Sequence, residues 1–209
     1  MTSLKKIISL PELVACRERV DTGSMKNAEQ ELEAVAIKTG ELEFRFPKSG
    51  DRFAVMICAG GESALAIGAG AQADAWPTAP PLQQLHQQVL PTGPVVLAVG
   101  SAGTTHWSAS FSVREPGLVW CEYAARVSRQ WKRNEEWLGT QIEVASGWEW
   151  SLAEGELKLS RAGQQLRLGL LGTESEFEQL REELFAIQPA RIFQQPTKTI
   201  EWKMAVQLD

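Results

Sequence analysis

Tyrosine is almost missing from this chain, one residue against eight tryptophans, and several other scarcities exclude whole classes of chemistry. Only His86 and His106 offer an imidazole, so a His-rich catalytic metal site would need carboxylates that no motif marks. Cys16, Cys58 and Cys121 are odd in number, widely spaced and free of any CxxC pair. That pattern disfavours a disulfide framework and a zinc knuckle, and buried free thiols are expected instead. Positive charge is also in deficit. A formal net charge of −5 argues against a nonspecific nucleic-acid surface or an anionic-membrane surface, both of which rely on a positive field. No run approaches the roughly 20 apolar residues that span a bilayer. Lys5 and Lys6 precede Ile7 and Ile8, yet Ser9, Pro11 and Glu12 end the apolar run before a signal-peptide core forms, so a cytoplasmic protein is expected.

What remains is ordinary globular composition with tryptophan in excess. Hydrophobic residues make 44% and charged residues 22%, enough for 209 residues to bury a core of their own as a single domain over 1–209. Alternation dominates. Leu42, Phe44 and Phe46 share one face against Glu41, Glu43 and Arg45, and the turn cluster Pro47 to Asp51 leads into Phe53 to Cys58, so residues 41–58 read as a hairpin. Ser63 to Gly68 adds a strand after Gly60-Gly61. Pro94 to Gly100 is an apolar strand; Thr105, Trp107, Ala109, Phe111 and Val113 oppose Thr104, His106, Ser108, Ser110 and Ser112. Pro116-Gly117 turns the chain into Leu118 to Val127. Further strands are expected over 137–144, 147–152, 156–160 and 165–171, with hairpin turns at Ala153-Glu154-Gly155 and Ala162-Gly163, and the alternating 198–208 should pair into a sheet.

Three segments carry helical spacing. Ala28, Leu32, Val35 and Ala36 mark a helix within 21–40, although Val35 and Ile37 also suit the start of a strand. Leu82, Leu85 and Val89 mark a short helix over 81–90, inside the Pro-rich stretch 74–93 that crosses between strand groups and would hold any internal boundary. Phe177, Leu180, Leu184 and Phe185 mark a third over 174–187. The expected architecture is therefore mainly β with an α+β tendency: an antiparallel β-sandwich or β-barrel of about ten to twelve short strands, with two or three helices packed on one side. That order of elements resembles lipocalin-like barrels in architecture alone, without their N-terminal Gly-x-Trp signature.

Short motifs carry little. Asp21-Thr22-Gly23-Ser24 matches the tetrapeptide of pepsin-like aspartic proteases, but a dyad needs two such carboxylates and the chain has no second Asp-Thr-Gly. It reads better as a helix-capping turn. Gly68-Ala69-Gly70-Ala71-Gln72-Ala73 fits a dinucleotide pattern that works only at a helix N-terminus, and Pro77, Pro80 and Pro81 leave no room for the helix. Trp131 among Arg126, Arg129, Lys132 and Arg133 has the local chemistry of a single-strand stacking patch, diluted by Glu135 and Glu136.

Seven tryptophans fall between Trp76 and Trp150. Trp148 and Trp150 stand two apart, either as a flat platform for a sugar ring or as the thick part of a core. With no catalytic motif and no cofactor implied, the leading expectation is a non-enzymatic small-molecule binder. Trp107, Trp120, Trp148 and Trp150, with His106 beside them, would line a cavity for an apolar or aromatic ligand. An interaction or scaffold protein, using tryptophan faces for homo- or hetero-association, is the alternative, and carbohydrate binding through an exposed Trp148/Trp150 face is a further one.

Overall fold

In the computed structural model, which describes residues 35–69, 77–127, 138–172, 175–189 and 198–209, the alternating segments become ladders of antiparallel strands. In chain order these are β1 (Ala36–Thr39), β2 (Leu42–Arg45), β3 (Lys48–Ser49), β4 (Arg52–Phe53), β5 (Val55–Ala59) and β6 (Glu62–Ile67). Then follow β7 (Gln84–Leu90), β8 (Gly93–Ala102), β9 (Thr105–Glu115), β10 (Leu118–Val127), β11 (Thr140–Val144) and β12 (Glu149–Ala153). The last are β13 (Glu156–Arg161), β14 (Gln164–Leu170), β15 (Ser175–Arg181), β16 (Leu184–Pro189) and β17 (Lys198–Leu208).

They form a seven-stranded sheet, β1-β2-β5-β6-β11-β16-β15, and an eight-stranded sheet, β12-β13-β14-β17-β10-β9-β8-β7, with β3-β4 as a separate small hairpin. Among the described residues neither large sheet closes on itself and each ends in two edge strands, so the barrel alternative is overturned. The inner faces share one core. Phe44 and Phe46 from the smaller sheet meet Phe111 of the larger at 6.1 and 4.9 Å between ring centres. Phe111 lies edge-on to Tyr123, Tyr123 stacks on Trp202 with only 13° between ring planes, and Trp107 meets Trp202 edge-on at 5.9 Å. Edge-on and stacked contacts of this kind add to the area each ring buries. The Trp202 indole N–H donates to Thr140 Oγ1 of the smaller sheet at 2.9 Å, so the column is also tied across the layers by a buried hydrogen bond. At the far side the Gly117 amide donates to Thr39 Oγ1 at 3.1 Å, pinning the β9–β10 turn to β1.

The expected strands of 41–58, 63–68 and 94–127 are present with the expected inward residues. The C-terminal alternation places Ile200, Trp202, Met204 and Val206 in the core, and β17 sits mid-sheet between β14 and β10. Glu154 and Ala162 take positive φ of 54° and 49° at the two predicted hairpin turns, the left-handed geometry that a two-residue turn of this hand demands.

The helices are corrected: there are none among the described residues. Of the 21–40 segment, the described part carries strand β1. Residues 84–90 form β7, hydrogen-bonded along their length to β8, because a tight turn at Pro91-Thr92 delivers the Val-rich β8 as a ready ladder. A ten-residue helix has no comparable source of stability. Residues 175–189 form the hairpin β15–β16, in which Leu184, Phe185, Ala186 and Ile187 are all buried; four consecutive buried residues fit a strand covered on both faces, not one helix face. Among the described residues no helix is long and apolar enough to cross a membrane. The Asp21 tetrapeptide, Trp131 with most of its basic neighbours, and most of the Gly68 motif lie outside the described residues.

Residues 77–83 carry the chain from β6 in the smaller sheet to β7 in the larger. Leu82 is buried, its carbonyl accepts from the Phe53 amide at 2.7 Å, and the Gln83 amide donates to the Val99 carbonyl at 2.8 Å. Gly100 is required at this crossing, since a Cβ there would run into the Pro81 carbonyl oxygen.

Candidate functional site at the outer face of the larger sheet

Because side chains alternate across a strand, the residues of β7 to β10 and β17 that do not enter the core share the outer face, and register sets their rows. One row runs His86, Leu97, Ser110, Glu122, Lys203; the next runs Gln84, Val99, Ser108, Ala124, Glu201. From β8 onward the two rows line a shallow depression of about 390 Å³ floored by Leu97, Val99 and Ala124 and rimmed by Ser108, Ser110, Glu122, Glu201 and Lys203.

Its electrostatics centre on Glu122. Lys203 Nζ lies 2.9 Å from one carboxylate oxygen, while Ser110 Oγ donates to the other at 3.2 Å and Arg114 stands 4.0 Å away. The Lys203 hydrogen bond, opposed by partial burial, holds the Glu122 carboxyl below the usual carboxylate range, so it is ionised and committed to its partners at neutral pH. On the reverse side, burial pushes the Cys121 thiol and the Tyr123 phenol up, leaving both neutral and without nucleophilic character. Among the described residues no group of three His, Cys, Asp or Glu side chains is placed to hold a metal ion.

The five residues expected to line one cavity are distributed instead. Trp107 is buried against Trp202. Trp148 is buried with its indole N–H donating to the Ser63 carbonyl at 3.0 Å, and Trp150 packs edge-on to Phe185 at 4.9 Å. Trp120 is on the outer face, half-buried, with the Arg114 guanidinium 4.4 Å above its ring. His106 is exposed on the same face, opposite Arg126, beside a second depression that includes Gln83, Val99 and Ser101. Only Trp120 and His106 therefore join the outer face, and Val99 links the two depressions.

The apolar part of this surface was not anticipated. Leu90, Leu97 and Val99 are 42%, 39% and 47% exposed on this face, and Val89, 80% exposed, belongs to the same β7–β8 hairpin but faces the other way. The signal was in Val95-Val96-Leu97-Ala98-Val99: a strand apolar on both faces must be covered twice or present one face outward.

No protein-family model and no curated protein matches this sequence. Solved structures do show a likeness: a variant of a glycoside hydrolase family 97 enzyme from Pseudoalteromonas sp. strain K8 superposes with a TM-score of 0.52 at 10% identity, over 84% of this chain and 35% of that one. At such identity the likeness is one of fold, and the chain spans about a third of that enzyme's length.

Proposed function

We propose that this protein is a non-enzymatic interaction module that docks a protein partner on the outer face of its larger sheet, at the β7–β8 hairpin. The observation that carries this reading is the presence of three large exposed apolar side chains, Leu90, Leu97 and Val99, on the outer face of two adjacent strands. Contiguous exposed apolar surface rimmed by polar groups is the mark of an association site, whereas scattered single residues are not. Here the rim is Ser108, Ser110 and the Glu122–Lys203 pair, whose internal hydrogen bonds leave little charge to desolvate on docking. This reading replaces a tryptophan-lined cavity because the rings of Trp107, Trp148 and Trp150 are engaged in the core. A photo-crosslinking residue at position 97, in cells that make the protein, should yield a discrete adduct that the same residue at exposed position 178 does not. Equal or absent adducts at both positions would refute the site.

A second reading has its own support. Hydroxyls at Ser108 and Ser110, a carboxylate and an ammonium around a shallow depression suit a hydroxyl-bearing ligand such as a saccharide, and the structural neighbour is a glycoside hydrolase. Under this reading a neutral oligosaccharide should perturb the emission of Trp120, one row from the depression, and Ser110→Ala should abolish the change.

A further inference from the structure

Resting on the interaction reading, we infer that the partner at β7 is a second copy of this chain, joined edge to edge so that two eight-stranded sheets become one. Among the described residues each large sheet ends in two edge strands, and an edge offers unpaired amides and carbonyls to any passing strand. Three of the four edges are blunted. β1 has four residues and Lys38, β12 has five and Glu149, and β15 carries Glu176, Glu178 and Arg181. β7, Gln84-Leu85-His86-Gln87-Gln88-Val89-Leu90, has seven residues with no Asp, Glu, Lys, Arg or Pro.

The sequence of β7 is also complementary to itself. In an antiparallel pair, residues directly opposite point to the same face, so a two-fold axis must centre on a residue for the smaller sheets of both copies to lie on one side. Centred on Gln87, the pairing uses all seven residues: Gln84 with Leu90, Leu85 with Val89, His86 with Gln88, and Gln87 with itself. Centring one residue to either side loses two pairs. On the inner face this register sets apolar against apolar. Leu85 is already packed at the margin of the core, and Val89, on the same face but overhanging its end, is the most exposed large apolar side chain among the described residues. Leu85 of the second copy would cover it. On the outer face His86 meets Gln88, amide and imidazole groups able to exchange hydrogen bonds. The inward side of Gln87 is already fixed, its Nε2 donating to the Ala36 carbonyl at 3.0 Å, so the centre of the register is held by its own fold. The net charge of −5 opposes association weakly, since none of it lies on β7.

The test uses the full chain. Sedimentation velocity over a hundredfold concentration range should show the mass double from 23.1 kDa, and Val89→Lys should weaken the dimer at least tenfold without lowering Tm. In a Cys16→Ser background, Gln87→Cys should form an intermolecular disulfide on mild oxidation, since self-paired residues bring their Cβ atoms to about 5 Å. Gln84→Cys should not, because in this register the two copies of residue 84 stand about 20 Å apart. Cys58 and Cys121 are buried and do not compete. A monomer at every concentration overturns the inference, as does a dimer that survives Val89→Lys and fails to cross-link at 87. A heterologous adduct at position 97 with no disulfide at 87 would sink the self-pairing alone; a disulfide at 87 with no adduct of any kind at 97 would confirm it and sink the docking face.

Discussion

Strands β7 and β15 occupy equivalent places, each the last strand of its sheet and paired to one neighbour, yet they meet solvent differently. β15 sets Glu176, Glu178 and Arg181 along its exposed length, and Glu178 accepts a hydrogen bond from Gln188 at 2.7 Å on the adjacent strand. β7 sets glutamines, a histidine, Val89 and Leu90. An incoming strand at β15 must desolvate charge, whereas at β7 it gains apolar contact and satisfies amides. The same topological position therefore ends one sheet and leaves the other open.

Four changes break or sharpen this contrast. The largest effect is expected from Trp202→Ala, which removes the ring on which Tyr123 and Trp107 pack and orphans Thr140. A loss of about 3–5 kcal/mol is expected in urea unfolding, with hydrogen exchange accelerating at β7 and β15 alike, because both edges depend on one core. If β15 alone kept its protection, the sheets would not share that core. Gly100→Ala should cost about 1–3 kcal/mol through its clash with the Pro81 carbonyl, and exchange should rise along β7 while β15 is spared. Lys203→Met acts on the face beside β7. With its folded pKa depressed, Glu122 contributes stability above the usual carboxylate range, lost as pH falls through the lowered value; the variant should reduce that contribution by less than about 1 kcal/mol, seen as a shallower stability–pH profile on the acid side. Glu178→Gln with Arg181→Gln should change stability by no more than about 0.5 kcal/mol, yet it should convert β15 into a second associating edge, read as new oligomers in sedimentation. Unchanged sedimentation would mean that charge is not what keeps β15 closed.

Both edge strands were expected to be helices, and for one reason. Glutamine and glutamate dilute the apolar residues of 84–90 and 175–181 so that a three-to-four spacing and a two-residue spacing match equally well. In each case the decision lies with the following strand, β8 or β16, whose apolar run demands a neighbour. Strands β9 and β17 were legible because they alternate and their inward rows carry large residues such as Trp107, Phe111, Trp202 and Met204, and β8 because its apolar run is β-branched. Of the candidate site, His106 and Trp120 lie on the outer face as their position opposite Trp107 and Cys121 requires. Alternation could not say that Trp107, Trp148 and Trp150 would be engaged separately, by Trp202, Ser63 and Phe185 of strands distant in sequence.

By itself the sequence determined which residues of β2, β9 and β17 face together and where the hairpins at Glu154-Gly155 and Ala162-Gly163 turn, since these follow from side-chain period and local backbone preference. Only the tertiary structure decided which strands neighbour one another and that, among the described residues, the sheets stay open and the apolar hairpin β7–β8 stands at an end with one face and one edge uncovered. Those outcomes depend on pairing between segments far apart in the chain, where hydrogen-bond ladders and shared burial compete globally and no local pattern records the winner.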